Sequence, residues 1–419
     1  MIVRQAVPFG SAARARPQPQ SRRGAFALEP VEALPRLSDR IGRLAERALE
    51  PNPFFLPEFL EPAIQGLGRK NLRLAIFSDR DELRFFAPVL ATGGGLLTGR
   101  KLSVWTHPYA PLGSPLIDRD MPDQVADGLI EHMRTSGRTV LTLPDLPLKG
   151  PAAQVLAAAA ERSGFWTVAA PQLRPILYPA ATDGPAHFDR MVNLKRRREL
   201  DRQLRRLCEA GSVSFMSARS ASDLDAAFSM FVHLESSGWK GRRGTALQRR
   251  GAIQEFARIA VTQLAQNGHA AIDVLRVGDK PIAALIRLDH GGLSIPWKIA
   301  YDEEFAAFSP GKQLMCDETR RWLSDASVLR VDPVREQDNS LISALWTERE
   351  RYGTLIVSSR RLGLGARLRA GIITAKSVGK STAKSLLRSG VAARKPTVQA
   401  KAKPQSRPKK KTTGVRRRR

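Results

Sequence analysis

Hydrophobic and polar positions alternate along the chain with the periods of strands and helices, and they do so in two successive blocks. In the first block, "NLRLAIFS", "DELRFFAPVLAT" and "KLSVWTH" predict strands, and "DQVADGLIEHMRTSG" predicts a helix. A strand "RTVLTLPDL", a helix "GPAAQVLAAAAERSG" and a strand "FWTVAA" follow. This order predicts an α/β domain, which we place at residues 45–180.

The second block opens with a basic helix, "NLKRRRELDRQLRRLCEAG", and continues with a strand "SVSFMSA" and two helices. Three strands, "AAIDVLRVG", "KPIAALIRLDH" and "LSIPWKIAYD", are separated by "GDK" and "HGG" turns and predict an antiparallel meander. The helix "GKQLMCDETRRWLSD" follows, and "VLRVDPV", "NSLISALWTERERYG" and "TLIVSS" predict strand, helix and strand. This ending resembles the end of the first block, which supports two related domains, the second over residues 185–360.

Basic residues are concentrated at the C-terminal end. The 419 residues carry 68 Lys and Arg against 40 Asp and Glu, a formal net charge of +28. From residue 360 onward there are 20 Lys and Arg and no acidic residue, so 48 basic and 40 acidic residues remain before it. Residues 362–419 are therefore predicted to be a disordered tail, whose stretch 364–390 could become helical on an anionic surface. We expect the tail to bind a polyanion: nucleic acid, acidic polysaccharide or an anionic membrane surface.

Several classes of protein are disfavoured by composition. No apolar run reaches the roughly 18 residues of a membrane span. Residues 1–40 have no compact apolar segment and are predicted to be a flexible extension rather than a secretory signal. Cys208 and Cys316 lie on separate predicted helices, and without CxxC or HxxxH spacing no metal site is predicted. These features favour a cytoplasmic protein, soluble or peripheral to the inner face of the membrane.

One junction carries candidate chemistry, because the third meander strand leads into a helix through "FSPGKQL". Backbone amides at a helix start are unpaired and partly positive, so they can hold a phosphate. Lys312 in the first turn is disfavoured by the helix dipole unless an anion lies beside it. An ordinary helix start explains Ser309 and Pro310 as well.

The combination of "ESSGWKGRRGTAL", "WKIAYD" and "FSPGKQL", with the basic helix and the two-block layout, resembles the BioF2-like, CelD/BcsL-type acetyltransferases of the GNAT superfamily, relatives of the FemAB peptidyltransferases. The resemblance implies two tandem GNAT-like domains with mixed sheets flanked by helices, the first of them degenerate. It implies N-acyl transfer from acetyl-CoA, without a metal, to an amine-bearing acceptor, in exopolysaccharide or cell-envelope biosynthesis. The helix-start loop departs from the superfamily's usual Q/R-x-x-G-x-G/A pattern.

The resemblance also implies where the site lies, around the end of the third meander strand and the following helix start. We expect contacts to the cofactor from Ile299, Ser309, Gly311, Lys312 and Gln313, with an amide near Ile299 donating to the developing oxyanion. The expected catalytic residues are Asp302, Tyr301 and Tyr352. Asp302 or Glu303 would take the proton of the amine, and Tyr352 would protonate the leaving thiolate.

The acceptor is expected to meet Trp239, Lys240, Arg242 and Lys298. Each has a plainer alternative, because the Gly-rich loop could be a solvated connector and Lys298 could pair with Asp302 across the sheet. Strand alternation predicts Trp297, Ile299 and Tyr301 on one face and Lys298, Ala300 and Asp302 on the other. A lone His107 beside a proline is interpreted as a packing residue.

Two rival functions remain open. FemAB-like relatives imply an aminoacyltransferase that uses charged tRNA, with the basic helix contacting tRNA phosphates. A non-enzymatic protein that binds nucleic acid or another polyanion on a GNAT scaffold is the other.

Overall fold

Two mixed β-sheets with helices on their faces form the structure, a computed structural model that describes residues 24–93, 100–179, 184–238, 247, 251–334, 342–343 and 345–392. The predicted α/β class is therefore confirmed. Both sheets belong to one compact unit that ends at Ile373. None of the described helices has the length and hydropathy of a membrane span.

The first half of the chain supplies most of the first sheet. Its elements are β1 (Ala25–Pro30), α1 (Leu34–Glu46), α2 (Pro57–Leu67), β2 (Leu72–Asp79), β3 (Glu82–Thr92), β4 (Arg100–Val104), β5 (Leu116–Ile117), α3 (Pro122–Thr135), β6 (Arg138–Pro147), α4 (Pro151–Ser163) and β7 (Phe165–Pro175). β1 to β4 pair antiparallel in sequence order, and β6 then pairs parallel with β4.

The second half repeats this order in a second sheet. Its elements are α5 (Gly184–Met191), α6 (Leu194–Glu209), β8 (Val213–Ala218), α7 (Ala221–Ser237), α8 (Gly251–Gln266), β9 (Ala270–Val277), β10 (Lys280–His290), β11 (Leu293–Tyr301), a 3-10 helix (Glu303–Phe308), α9 (Pro310–Ser324) and β12 (Arg330–Val331). β8 to β11 pair antiparallel, and β12 pairs parallel with β11. Each half is thus a strand, two helices, three antiparallel strands, a helix and a parallel strand.

The last strand, β13 (Arg349–Ser358), lies in the first sheet, where it pairs antiparallel with β6 on one side and β7 on the other. The predicted second domain, residues 185–360, includes this strand, which pairs in the first sheet. The helix predicted from "NSLISALWTERERYG" is wrong in its described part, because Arg349–Gly353 begins β13. Backbone pairing on both edges overrides the local helical pattern.

Two segments predicted to be flexible are ordered where they are described. β1 pairs with β2 from Ala25 to Pro30, and α1 begins at Leu34, within the predicted extension of residues 1–40. In the predicted tail, α10 (Leu364–Ala392) is a helix whose buried Ala366 packs in a small core with Val140 and Ile356. Residues 1–23 and 393–419 lie outside the described residues. The domain boundaries stay predictions.

The two halves share one hydrophobic core. Phe59 of α2 lies with its ring centroid 5.3 Å from Phe256 of α8 and 5.7 Å from Trp297 of β11. A backbone bridge between Leu177, just after β7, and Val331 of β12 links the two sheets. The position of each half is therefore fixed by the other.

Candidate functional site

β11 and β12 pair only briefly before they part. Leu293 and Ser294 face Arg330 and Val331, and the amide of Asp332 donates to the Ser294 carbonyl at 3.0 Å. Beyond this point β12 has ended, whereas β11 continues to Tyr301 along β10. Parting parallel strands create an opening at the carboxyl end of a sheet, where α/β proteins commonly bind ligands.

A β-bulge marks the place where the strands part. Pro296 faces Arg287 and Lys298 faces Ile286, so Trp297 is the extra residue on β11. Proline suits this position, because it has no amide to give to a ladder. The bulge also corrects the predicted faces: Trp297 lies in the core shared with the first half, while Ile299 and Tyr301 pack against the separate core beneath α9.

The helix start after β11 offers fewer free amides than its sequence predicts. Ser309 takes a left-handed conformation at φ 53°, and its carbonyl accepts the amides of Lys312 at 2.8 Å and Gln313 at 3.1 Å. Pro310 has no amide. Within the described part of the chain, the amide of Gly311 is the one in this first turn without an acceptor. The turn by itself is therefore a small anion site, and side chains have to complete it.

A cavity of about 630 Å³ lies beside this turn. Its lining comes from the first turns of α6, from Lys312 and from the segment after β12, and consists of Asn193, Lys195, Arg196, Glu199, Leu200, Gln203, Lys312 and Leu345. The volume is typical of sites for small molecules and cofactors. The first turns of α6 and the first turn of α9 thus lie at one cavity.

The cavity is positively charged. Lys195, Arg196 and Lys312 line it, and no carboxylate among the described residues forms an ion pair with any of the three. Glu199 is the acidic lining residue, and its charge is held by Arg202 at 2.8 Å. Neither α6 nor α9 carries an acidic residue in its first turn. An anionic ligand fits this charge distribution.

Gln313, predicted to contact the cofactor, instead ties the two helices together. Its side chain is buried, and its Nε2 donates to the carbonyl of Leu200 at 2.9 Å. This bond holds the start of α9 against α6 and so fixes the position of Lys312 relative to Lys195 and Arg196. The side-chain hydrogen bond described for Gln313 is thus made to the protein backbone.

Lys298 lies at the first half's side of the opening. Its Nζ is 4.8 Å from the ring centroid of Tyr109 and 5.5 Å from that of Trp297, and the Trp297 Nε1 donates to the Tyr109 carbonyl at 2.7 Å. His107 holds this loop, because its Nδ1 accepts the amide of Tyr109 at 3.3 Å. Burial lowers the pKa of His107 to about 4, so the ring is neutral at pH 7. A loop of the first half therefore covers β11 of the second.

Asp302, the predicted general base, caps a 3-10 helix and forms an ion pair. One oxygen accepts the amide of Glu304 at 2.9 Å and caps the 3-10 helix, and the other pairs with Lys280 at 2.9 Å. Neighbouring Tyr301 ends β11 and is half-buried against the core beneath α9. The alternative in which Lys298 pairs with Asp302 across the sheet is not seen, because Asp302 pairs with Lys280.

Tyr352, predicted to protonate the leaving thiolate, is completely buried in β13. Its hydroxyl donates to the Asp332 carboxylate and accepts from Arg330, and Arg174 lies 4.4 Å over its ring. Burial and then Asp332 raise the pKa of Tyr352 well above its usual value. This network joins the two sheets where β11 and β12 begin to part, and a structural role explains its contacts.

Three predicted acceptor contacts, Trp239, Lys240 and Arg242, lie outside the described residues. Gly238, which precedes them, is described: a Cβ built on it would lie 3.8 Å from the Tyr301 carbonyl and 3.7 Å from a Glu303 oxygen. The loop therefore leaves α7 beside the end of β11.

Sequence reasoning missed Lys195 and Arg196 as partners of Lys312. The sequence analysis predicts that the basic helix with its "LKRRR" run contacts tRNA phosphates. No local sequence pattern indicates that this run lies beside a helix start more than 100 residues later. Tyr109 was missed for the same reason.

Residues 194–339 match the family model described as the acetyltransferase (GNAT) domain. The match spans α6, the second sheet and α9, and so contains the parting strands and all of the cavity lining except Asn193 and Leu345. The predicted superfamily and the prediction of an acyltransferase enzyme are confirmed by this match at that level. No curated protein sequence matches the chain.

Solved structures of other proteins resemble this chain at low sequence identity, and FemX shares its fold. FemX is 10% identical, with a TM-score of 0.50 over 75% of this chain and 95% of its own. A conserved protein of unknown function from Bacteroides thetaiotaomicron is 11% identical, with a TM-score of 0.49 over 80% of this chain and 100% of its own. A tandem GNAT protein from the clavulanic acid biosynthesis pathway is 14% identical, with a TM-score of 0.39 over 80% and 99%.

Proposed function

We propose that the protein is an N-acyltransferase that uses acetyl-CoA and binds the phosphates of this donor in the cavity between α6 and α9. The observation that carries the proposal is the meeting of Lys195, Arg196 and Lys312 at two helix starts inside the matched acetyltransferase domain. Lysine and arginine are the usual partners of phosphate oxygens, and helix starts add to their attraction.

The thioester would then lie where β11 and β12 part, with the Ile299 region beside it. Transfer forms a bond between the amine nitrogen and the carbonyl carbon, breaks the carbon–sulfur bond, and moves the proton of the amine to solvent or to the departing thiolate. Such a reaction needs an oriented donor and a fixed amide for the developing oxyanion more than a covalent intermediate. The bulge at Trp297, which turns Ile299 and Tyr301 towards α9, supports this placement.

The acceptor amine is proposed to enter from the side of Lys298 and Tyr109, where the loop of the first half covers β11. Trp239, Lys240 and Arg242 stay predicted acceptor contacts. We retain the BioF2-like, CelD/BcsL-type assignment and an acceptor from exopolysaccharide or cell-envelope biosynthesis as part of the proposal. A cytoplasmic location, with the basic tail on a polyanion or on the inner face of the membrane, belongs to it as well.

The test is calorimetric titration of acetyl-CoA into the full-length chain at moderate salt, which weakens binding of the anion by the tail. Lys312→Glu and Lys195→Glu are compared with Lys70→Glu, an identical charge change at an exposed turn of the first half. We expect one site in the wild type and in Lys70→Glu, and at least about tenfold weaker binding in each cavity variant, the equivalent of about 1.4 kcal/mol.

Absence of binding in the wild type would contradict acetyl-CoA as the donor. Equal affinity in all four proteins would place the donor outside the cavity.

A charged tRNA is the second candidate donor, and the surface of α6 favours it. Lys195, Arg196 and Arg198 lie on the first turns of this helix, two of them at the cavity, where a charged 3′ end could enter. Phosphate contacts of this kind give binding that weakens steeply with salt. This donor would be favoured if the protein binds aminoacyl-tRNA specifically, if Lys195→Glu loses that binding, and if the protein does not bind acetyl-CoA.

A further inference from the structure

Glu46, His269 and His290 form a cluster of potential metal ligands that joins the two halves. Glu46 ends α1 in the first half, His269 lies just before β9, and His290 ends β10. One ligand atom of each residue lies within 4.8 Å of those of the other two. The imidazole rings of the two histidines stand nearly perpendicular, at 84°, with centroids 4.9 Å apart.

Two ring nitrogens in this cluster have no hydrogen-bond partner although they are buried. They are Nδ1 of His269 and Nε2 of His290, and His290 as a residue is only 4% exposed. Buried polar atoms without a partner are costly and uncommon in proteins, so this pair needs an explanation.

The surroundings are negative. The carboxylates of Glu46 and Glu58 both act on His290, while Glu58 accepts a hydrogen bond from Asn267 at 2.5 Å through one oxygen. Its second oxygen is buried without a partner. Two imidazoles, each with a buried unpartnered nitrogen, beside the carboxylate of Glu46 suit a divalent cation.

We propose that Glu46, His269 and His290 bind one Zn²⁺ ion that fastens α1 of the first half to β9 and β10 of the second. Two histidines, a carboxylate and a fourth ligand form a common zinc coordination set.

The geometry needs a small closure. Ligand atoms bound to one ion at about 2.1 Å are at most about 4.2 Å apart, so side chains separated by up to 4.8 Å must approach. Glu46 is exposed and can change its rotamer without disturbing the core. A water can supply the fourth ligand.

The ion would stabilise the fold rather than take part in acyl transfer. Ile299, beside which the thioester is proposed to lie, pairs with Leu285, five residues from His290 along β10. The proposed metal site and the proposed thioester position are therefore about 17 Å apart along the strand. Metal binding can therefore succeed or fail independently of donor binding.

The experiment uses the full-length chain, freed of metal with a chelator and titrated with Zn²⁺, and with Co²⁺ as a spectroscopic probe. We expect one Zn²⁺ per chain and a rise in Tm of several degrees. His269→Gln and Glu46→Gln should each weaken binding by at least about tenfold. His233→Gln, an exposed histidine on α7, is the matched control and should bind like the wild type.

Glu46→Gln keeps the test decisive if a histidine variant does not fold, because Glu46 is exposed. No bound Zn²⁺ in the wild type at micromolar metal, or unchanged binding in both Glu46→Gln and His269→Gln, overturns the proposal. A Co²⁺ spectrum that persists in these variants does the same.

Discussion

The two halves of the molecule follow the same order of strands and helices, yet one sheet is closed where the other opens. In the first half, β4 and β6 stay paired over four residues, from Arg100 with Arg138 to Ser103 with Thr142, and β13 covers the other edge of β6. In the second half, β11 and β12 pair over two residues and then part. The same topology therefore gives a filled sheet in one half and a potential binding site in the other.

The helix that follows the third antiparallel strand also differs between the two halves, in the charge of its first turn. α3 of the first half carries Asp123 in its first turn, which satisfies the helix dipole from within. α9 of the second half carries no acidic residue there and has Lys312. The proposed donor binding requires both an opening in the sheet and an unsatisfied helix start, and among the described residues the two occur together in the second half.

The largest expected effect comes from weakening β13, the strand that closes the first sheet. Ile356 is fully buried between β6 and β7, so Ile356→Ala should lower the free energy of unfolding by about 2 to 5 kcal/mol. Urea denaturation measures it. Met216→Ala, on an exposed position of β8, is the control and should cost less than about 1 kcal/mol. A small loss in Ile356→Ala would mean that the first half does not depend on this strand.

A pH effect of intermediate size is expected at Glu50, close to the joint between the halves. Burial raises the pKa of Glu50 to about 7, against an ordinary value of 4.5, with Arg330 and Glu350 nearby. Below about pH 4.5 the carboxyl is protonated in both folded and unfolded chains. Between 4.5 and 7 unfolding releases its proton, so the free energy of unfolding falls as the pH rises.

Glu50→Gln should remove this dependence and make the protein more stable than the wild type at pH 8, by on the order of 1 to 3 kcal/mol. Denaturation at pH 5 and pH 8 measures the change, with Glu209→Gln at an exposed site as control. A variant that is less stable than the wild type at pH 8 would show that Glu50 is charged and well paired when folded.

The smallest expected effects come from variants that reverse the charge in the first turns of α9 and α3. Lys312→Glu should raise the free energy of unfolding of the ligand-free protein by about 0.3 to 1 kcal/mol, because a carboxylate suits a helix start. Asp123→Lys should lower it by a similar amount, and its weak, exposed pair with Arg162 adds little. Urea denaturation without ligand compares them. A destabilised Lys312→Glu would mean that Lys312 is there for the fold.

Much of the fold could be predicted from local pattern. "KPIAALIRLDH" was predicted as a strand and is β10 over the same residues, because turn signals bound it on both sides. The helices α6, α7, α8 and α9 were placed within two residues at their described ends. A signal for α1 was also present, since Leu34, Leu37, Ile41 and Leu44 share one helical face. The arginines and prolines before it nevertheless led to the prediction that residues 1–40 are a flexible extension.

The rest depends on which segments meet, and no local pattern encodes that. β13 carries an ordinary strand sequence, and its place in the first sheet follows from two partners more than 170 residues earlier. At the site, Asp302 has the residue type of a base and of a helix cap alike, and only the partners Lys280 and Glu304 distinguish them. The bulge at Trp297, which decides the faces of β11, requires knowledge of the pairing with β10.

β13 follows the second half in the sequence but lies in the first sheet, and this has a consequence for synthesis of the chain. Residue 349, where β13 begins, is made 174 residues after β7 ends at Pro175. At translation rates of about 5 to 20 residues per second, the edges of β6 and β7 wait on the order of ten seconds or more for their partner. During that interval a growing chain exposes two unpaired, apolar strand edges, which are templates for wrong pairing. The ribosome-bound chain is therefore a natural client for chaperones.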